Sequence, residues 1–252
     1  MPIKEIQIFM KHGRQSVPDL RNAELSSMFR GRPVISPDIT AEETAKVAAL
    51  CPTGAISGGP CSIDLGRCVF CRECQFAVPG RITFTNDYKI AANVPENLII
   101  RAGDDNPVSL DPSGIRKEIR SFFKHALKLR QVSAGGDNSC EMELNAAGNV
   151  NFDMGRYGIE FVASPRHADG IVITGPISVN MAEALQITWD AVPAPKIVIL
   201  AGTDAISGGL FAGSSALDRS FLQKHPVDLY LPGNPVHPLT FINGVLDLIG
   251  KR

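Results

Sequence analysis

Short apolar runs alternate with helical patterns of apolar residues along the second half of the chain. Five runs rich in β-branched and other apolar residues predict strands, at 128–133, 159–163, 170–174, 196–201 and 227–231. Two stripes at helical spacing predict helices, namely Met181/Leu185/Thr188/Trp189 and Leu239/Ile242/Leu246/Ile249. Strands that alternate with helices form a parallel sheet with helices on both faces. The second half is therefore predicted to be an α/β domain.

The first half has a different pattern. Residues 1–35 are polar and predict an extended arm. Thr40 and Glu43 form a capping box that opens a helix to Leu50, and the alternating segment 81–85 predicts a strand. The stretch 102–114 is rich in Asp, Asn, Pro and Gly and predicts a linker. Two domains follow from this division, the first over 1–105 and the second over 106–252.

A basic amphipathic helix is predicted directly after the linker. Asp111 is suited to cap it, with Pro112 in its first turn. Its apolar face is formed by Ile115, Ile119, Phe122, Phe123 and Ala126. The interpretation that we favour is a helix with a solvated basic face. The alternative is a helix that docks on an acidic surface of another subunit.

Composition restricts the function classes. Of the 252 residues, 44% are hydrophobic and 20% are charged, as in an ordinary globular protein. The net charge is −1, which gives no indication of a nucleic-acid partner. No run of residues approaches the ~20 apolar positions that a membrane span needs. Contact with a membrane is therefore expected only through partner subunits.

The cysteines carry the most specific chemistry. Cys68, Cys71 and Cys74 have the spacing C-x-x-C-x-x-C, and Cys51 is followed by Pro52. Bacterial-type ferredoxins contain the run C-x-x-C-x-x-C-x-x-x-C-P twice, and the fourth Cys of each run ligates the other cluster. Here the first run retains its fourth cysteine and the second retains its first three. The other places are filled by Ala41, Thr44, Val47 and Val78.

Those four cysteines form one complete ligand set for a single 4Fe-4S cluster, while the second cluster of the pattern has lost all its ligands. A zinc site is the alternative, because zinc also accepts four thiolates. A disulfide framework is disfavoured, since the chain shows no apolar signal peptide. Cys61 and Cys140 are expected to be spare thiols.

The second half resembles the small, cluster-carrying subunit of membrane-bound energy-converting hydrogenases, a group related to the NuoB subunit of respiratory complex I. The matching segments are 164–169, Gly175-Pro176, 194–198, Ser207-Gly208-Gly209 and Pro226-Val227-Asp228. The first half resembles a ferredoxin-like domain through 29–33 and 51–56. The resemblance implies a ferredoxin-like α+β domain followed by a flavodoxin-like parallel-sheet domain.

The resemblance also implies a second 4Fe-4S site, and here the sequence departs from the family. Its loops are Gly-x-Cys-x-x-Cys-Glu, Gly-x-Cys-Ala and Pro-Gly-Cys-Pro. This chain has Asp137, Asp204 and Asn234 at three of the cysteine places and retains only Cys140. The expected result is a small water-filled polar pocket. The alternative is a replacement site for a hard or borderline cation.

Taken with the resemblance, these observations predict an electron-transfer subunit with one 4Fe-4S cluster and no complete active site of its own. The implied partners are a large hydrogenase-like or NuoD-like subunit and membrane antiporter-like subunits, with electron exchange with ferredoxin as a further expectation. The implied location is cytoplasmic, peripheral to the cytoplasmic face of the inner membrane. Two alternatives are a non-redox structural or assembly subunit and a free-standing redox carrier.

His167, between Arg166 and Asp169, is the remaining candidate for chemistry. It has two interpretations, a proton donor or a structural or intersubunit residue, and we favour the second. The loop at Ser207-Gly208-Gly209 lacks the lysine and the spacing of a phosphate-binding loop.

Overall fold

A computed structural model describes residues 3–13 and 16–251 of the chain. The first part of the chain contains helices α1 to α3 and strands β1 to β5. In chain order these are α1 (Ile3–His12), β1 (Pro33–Ile35), α2 (Ala41–Leu50), β2 (Ile56–Ser57), β3 (Ser62–Asp64), α3 (Glu73–Ala77), β4 (Ile82–Phe84) and β5 (Ile99–Arg101). Strands β1 and β4 pair antiparallel, and β2, β3 and β5 form a second small antiparallel sheet.

The second part contains helices α4 to α9 and strands β6 to β10. They are α4 (Lys117–Phe122), β6 (Leu127–Ser133), α5 (Ser139–Ala146), β7 (Ile159–Phe161), β8 (Gly170–Thr174), α6 (Val179–Ala191), β9 (Ile197–Ala201), α7 (Thr203–Ser207), α8 (Ser220–Lys224), β10 (Leu229–Leu231) and α9 (Pro238–Ile249). Short 3₁₀ helices lie between elements, at Pro95–Leu98, Pro112–Gly114, Met154–Tyr157, Pro165–His167 and Gly209–Phe211.

The sheet of the second part is parallel throughout, with the strand order β10-β9-β8-β6-β7. If β6 to β10 are renumbered 1 to 5, the order of the strands from the β7 edge is 2-1-3-4-5, which is the flavodoxin order. The predicted α/β class and all five predicted strands are confirmed. Every residue of β8 and β9 is buried, which explains why these two strands are the most continuously apolar runs.

The capping box is also confirmed. Glu43 N–H donates to Thr40 Oγ1 at 3.1 Å, and Thr40 N–H donates to the Glu43 carboxylate at 2.8 Å. Helix α2 then ends at Leu50, directly before the first predicted ligand, Cys51. The capping box fixes the start of α2, and Cys51 is the residue at its C-terminal cap.

The extended arm predicted for residues 1–35 is wrong in its first part, because α1 is a helix; residues 1, 2, 14 and 15 of that prediction lie outside the described residues. The rest of the arm is packed against the second part of the chain. Leu20 is fully buried, and its carbonyl accepts hydrogen bonds from Tyr88 Oη at 3.2 Å and Asn243 Nδ2 at 2.9 Å. Arg21 forms an ion pair with Asp247 at 2.6 Å. Long-range polar contacts of this kind leave no local sequence pattern.

The helix predicted after the linker is shorter than its apolar stripe. Ile115, Ile119 and Phe123 are buried, but Phe122 is 67% exposed because α4 ends there and β6 begins five residues later. Ala126 also lies outside the helix and is exposed. The predicted apolar stripe therefore included residues of α4 and also residues of the segment between α4 and β6.

The two parts of the chain share a core. Tyr88 and Ala91, from the segment after β4, pack in the same apolar cluster as residues of α9. Ala92 forms a β-bridge with Tyr230 of β10, and this contact covers the edge of the parallel sheet. The predicted boundary at 105/106 thus falls between residues that pack in one apolar cluster and that are joined by strand-edge hydrogen bonds.

Candidate metal centre

Three neighbouring segments bring the four predicted ligand cysteines to one cavity. Cys51 follows the last residue of α2, Cys68 and Cys71 lie in the loop before α3, and Cys74 lies in α3. All four line a small cavity. Its other walls are largely apolar and are formed by Ala55, Ile56, Ile63, Val69, Phe84 and the neighbours of the cysteines, Arg72 and Glu73.

Backbone amides point at two of the sulfurs. Ala55 N–H donates to Cys51 Sγ at 3.2 Å, and Phe70 N–H donates to Cys68 Sγ at 3.3 Å. Phe70 has a φ of 53°, an unfavourable left-handed conformation for an aromatic residue. Left-handed residues other than glycine concentrate at functional sites, where surrounding contacts hold them. Here the turn directs an amide at a predicted ligand.

Burial makes two of these thiols hard to ionise. Burial, with a smaller contribution from the other cysteines of the group, raises the pKa of Cys68 to about 12 and that of Cys74 to about 11. Thiolates at these positions therefore require a positive partner, and metal binding would displace the protons. Four sulfur donors in an apolar enclosure with amides aimed at sulfur fit an iron-sulfur cluster.

Within residues 3–13 and 16–251, no group of three or more His, Cys, Asp or Glu side chains is arranged to hold a single metal ion. A 4Fe-4S cluster is bound differently, because four cysteines surround the cluster rather than one ion. Cys61 is buried elsewhere, where its thiol hydrogen-bonds with Thr44, and burial raises its pKa.

A buried hydroxyl connects the cysteine loop to the second part of the chain. Thr203 is the first residue of α7. Its Oγ1 atom lies 2.8 Å from the Cys68 carbonyl oxygen and 3.2 Å from the Gly233 carbonyl oxygen. Gly66 approaches Ile206 so closely that an added Cβ would lie 2.9 Å from the Ile206 side chain. The loop that carries Cys68 is thus fixed against α7.

The altered loops lie at the carboxyl ends of β6, β9 and β10, as expected for ligand loops of a parallel sheet. Cys140 is buried in α5, and a Cβ added at Gly202 would lie only 2.5 Å from its Sγ atom. The Val236 N–H hydrogen-bonds to the same thiol, and burial raises the pKa of Cys140 to about 12. Cys140 therefore packs as a neutral thiol between the other two loops.

Two carboxylates lie near this thiol. Asp137 accepts hydrogen bonds from Ser139 N–H at 3.0 Å and Ser139 Oγ at 2.6 Å, which lower its pKa. The pKa of Asp204 is raised, first by burial and then by the charge of Asp137. The negative charges of Asp137 and Asp204 also raise the pKa of Cys140. Asn234 lines a cavity on the adjoining side. The structure therefore groups Asp137, Cys140 and Asp204, with Asn234 at the border.

Arg219 holds the Asp204 loop in place. Its guanidinium donates to four backbone carbonyls, those of Pro176 at 3.0 Å, Asp204 at 3.3 Å, Ala205 at 2.8 Å and Ile206 at 2.8 Å. A cation at the C-terminal end of a short helix also interacts favourably with the helix dipole. Sequence reasoning missed both Arg219 and Thr203, because their partners are distant along the chain.

The cavity beside Asn234 has a volume of about 190 Å³ and lies where the arm, the cysteine loop and the β10 loop meet. Phe70 from the cysteine loop and Phe29 from the arm form apolar walls. Glu143 and His237 also line it. Burial raises the pKa of Glu143 and lowers that of His237 to about 4.

His237 gives a prediction for stability. Its Nδ1 accepts the Leu239 N–H at 3.1 Å and so caps α9. Its pKa is about 4 when folded against an ordinary 6.5, so the unfolded chain binds the extra proton first as pH falls. The contribution of neutral His237 to the free energy of unfolding is fully present above pH ~6.5 and is lost as the pH falls toward ~4. We expect the protonation of this residue to lower the free energy of unfolding by about 1–2 kcal/mol between pH 7 and pH 5.

Urea unfolding of the metal-free chain, followed by Trp189 fluorescence, measures this effect. His237→Asn retains a capping acceptor but does not titrate in this range. The variant should lose less stability than the wild type between pH 7 and pH 5. Equal losses in the two proteins would show that His237 is not the responsible group.

A family model and several known proteins are similar to parts of this chain. Residues 138–248 match the sequence profile of the NADH ubiquinone oxidoreductase 20 kDa subunit. The chain is 35% identical over 120 residues to a probable membrane-bound hydrogenase subunit mbhJ of Pyrococcus furiosus, which covers 48% of this chain and 72% of the relative. It is 40% identical to a subunit of the F(420)H(2) dehydrogenase of Methanosarcina mazei, over 53% of this chain and 78% of the relative.

A third relative extends over more of the chain. A subunit of the NADH-quinone oxidoreductase of Clostridium beijerinckii is 33% identical over 171 residues, which is 68% of this chain and 92% of the relative. The chain belongs to the NADH ubiquinone oxidoreductase 20 kDa subunit family. The resemblance predicted for the second half is thereby confirmed, and the ferredoxin-like resemblance of the first half stays a prediction.

The family model itself matches only residues 138–248. The matched region begins at Asn138, one residue after Asp137, and includes Cys140, Asp204 and Asn234. The four cysteines of the first domain lie outside that region. In the part of the chain that the structure describes, no helix is long and apolar enough to cross a membrane.

Proposed function

We propose that this member of the 20 kDa subunit family is the iron-sulfur electron-transfer subunit of a membrane-associated oxidoreductase, of the complex I-like or energy-converting-hydrogenase-like kind. The proposal places one 4Fe-4S cluster on Cys51, Cys68, Cys71 and Cys74. The observation that carries it is the single apolar cavity lined by all four cysteines. The amides directed at Cys51 and Cys68 support it further.

The chain's own residues would set the properties of the centre. A 4Fe-4S cluster, when bound, supplies the capacity to accept and release one electron. The N–H groups of Ala55 and Phe70 would favour the more negative, reduced state, because they direct positive charge at the sulfurs. The apolar walls would disfavour the reduced state, because burial disfavours additional negative charge. Thr203 positions the Cys68 peptide from the second domain.

The second domain is proposed to be mainly a docking platform for a large hydrogenase-like or NuoD-like subunit. Support comes from exposed apolar side chains at the end of the sheet that carries the altered loops. Leu210 and Phe211 are 61% and 54% exposed, and they follow Gly209, which lies against the Asp204 carboxylate. Exposed apolar groups of this kind mark interaction surfaces when they are contiguous.

The names of the relatives support the wider assembly, since they include a membrane-bound hydrogenase subunit and NADH-quinone oxidoreductase subunits. We propose large-subunit and membrane antiporter-like partners, with a position on the cytoplasmic face of the inner membrane reached through those partners. In the altered loops we propose water-filled polar space without a second cluster around Asp137, Asp204 and Asn234. Without a cluster in these loops, electrons would not pass through this end of the parallel sheet by way of a second iron-sulfur centre.

A structural subunit is the second candidate. The contact between Thr203 and the Cys68 loop favours it, because a cluster there would also fasten the two domains together. The two candidates differ in redox behaviour. A cluster that only stabilises the fold need not be reduced by a physiological carrier, whereas an electron-transfer centre must be.

Metal analysis of protein purified without air tests the proposal. We expect about four iron and four acid-labile sulfide per chain, and a spectrum that bleaches on reduction. About eight of each would show that the altered loops hold a second cluster. Stoichiometric zinc without sulfide would overturn the iron-sulfur assignment, and a cluster that a reduced ferredoxin cannot reduce would favour the structural subunit.

A further inference from the structure

The predicted cluster cavity is accessible mainly on one side. Cys71 is exposed, whereas Cys68 and Cys74 are buried and Cys51 is half-buried. Electrons pass between proteins where a partner can approach the centre closely. The side at Cys71 is therefore the side of the cavity at which an external redox partner could exchange an electron with this domain.

Exposed apolar side chains lie on the two helices that precede or carry the predicted ligands Cys51 and Cys74. Phe76 of α3 is 65% exposed, and the Arg72 guanidinium carbon lies 5.5 Å from the centroid of its ring. Leu50, the last residue of α2 and the neighbour of Cys51, is 51% exposed. We define the Cys71 face as Leu50, Arg67, Cys71, Arg72 and Phe76.

Basic side chains outnumber acidic ones by one here, with Lys46, Arg67 and Arg72 against Glu73 and Asp64, the last of which interacts with Arg67, whereas the whole chain has a net charge of −1. Arg67 is exposed, and its guanidinium lies 3.4 Å from the Gly54 carbonyl in the loop after Cys51. Lys46 of α2 is exposed and donates to the Ala77 carbonyl at the carboxyl end of α3. The segment from Arg67 to Phe76 contains two arginines and one carboxylate, Glu73.

We propose that the Cys71 face is the docking surface for an acidic one-electron carrier protein, an inference that rests on the proposed cluster. Arginines and an exposed aromatic ring beside an accessible ligand provide steering and a dry contact for such a partner. In the exchange the reduced carrier loses one electron and the oxidised cluster gains it. No bond is formed or broken, and no proton is transferred.

Stopped-flow reduction of the cluster-loaded chain by a reduced acidic ferredoxin tests the proposal. Arg67→Glu should lower the second-order rate at low ionic strength by roughly tenfold. The difference from the wild type should shrink as salt screens the charges. Phe76→Ser should lower the rate at low and at high salt, because it removes apolar contact. Arg166→Glu, an exposed charge reversal in the second domain, should leave the rate unchanged.

Two further measurements separate the docking proposal from the cluster proposal. Each variant is analysed for iron, and each is reduced with reduced methyl viologen, a small cation that Arg67→Glu should not slow. Absence of a cluster in the wild type would refute the proposed function. A full cluster with identical ferredoxin rates in wild type, Arg67→Glu and Phe76→Ser would overturn the docking surface. If Arg67→Glu loses iron, Lys46→Glu is used as the charge reversal and is held to the same outcomes.

Discussion

Replacing any one of Cys51, Cys68, Cys71 or Cys74 with serine is expected to reduce the iron content of the purified chain from about four atoms to near zero. The reason is that each cysteine provides one of the four thiolates, and a hydroxyl is a harder and weaker ligand for iron than a thiolate. The visible absorption of the cluster should disappear in parallel. Iron, acid-labile sulfide and the absorption spectrum of anaerobically reconstituted protein measure the effect.

Cys61→Ser and Cys140→Ser are the matched controls, because both cysteines are buried and neither lines the four-cysteine cavity. Both variants should retain about four iron atoms per chain. Loss of the cluster in Cys61→Ser would show that a ligand is misassigned. Retention of the full cluster in Cys71→Ser alone would show that the exposed position is not used as a ligand.

The parallel sheet was predictable because burial on both faces makes its central strands continuous apolar runs. β8 and β9 have no exposed residue, and their bounds match the prediction within one residue. The start of α2 was equally clear, since Thr40 and Glu43 form a reciprocal local hydrogen-bond pattern. These signals lie within a few residues of the element that they specify.

Features that depend on distant contacts were not predictable. Residues of the arm are held by partners more than 60 positions away, as in the hydrogen bonds of Leu20 with Tyr88 and Asn243. Helix α4 ends at Phe122 and β6 begins at Leu127, so the apolar stripe overestimated the length of the helix. Periodicity reports local preference and does not show where a helix stops.

The same limit applies to the candidate site. The spacing of the cysteines was sufficient to select one group of four, and these four line one cavity. Thr203 and Arg219 gave no signal, because a threonine or an arginine in a loop has many uses. Their roles follow only from the folded chain, in which one touches the Cys68 carbonyl and the other donates to four carbonyls.

Restoring cysteines at the three altered positions should regenerate a second cluster. The triple variant Asp137→Cys, Asp204→Cys and Asn234→Cys, with Cys140 retained, is expected to bind about eight iron atoms per chain after reconstitution. The three loops still lie at the carboxyl ends of strands in one sheet. Arg219 still holds the loop at 204. A scaffold that is already ordered does not need to be organised by the cluster.

One local rearrangement is required for this result. Cys140 Sγ now lies against Gly202 and accepts a hydrogen bond from Val236 N–H, so its side chain must turn to meet a cluster. Removing Asp137 and Asp204 also removes two negative charges that raise the pKa of Cys140, which favours formation of its thiolate. Iron and sulfide counts, together with a second signal in the electron paramagnetic resonance of the reduced protein, measure the outcome.

The matched controls are the same three positions changed to serine and the cysteine triple combined with Cys140→Ser. Both should remain near four iron atoms, because one has no added thiolates and the other has only three. A cysteine triple that folds normally, retains its first cluster and still binds only four would contradict the expectation. The loops would then have diverged in position as well as in ligand type. The proposed water-filled pocket would then be a remodelled region of the parallel-sheet part of the chain, without the shape of a cluster cavity.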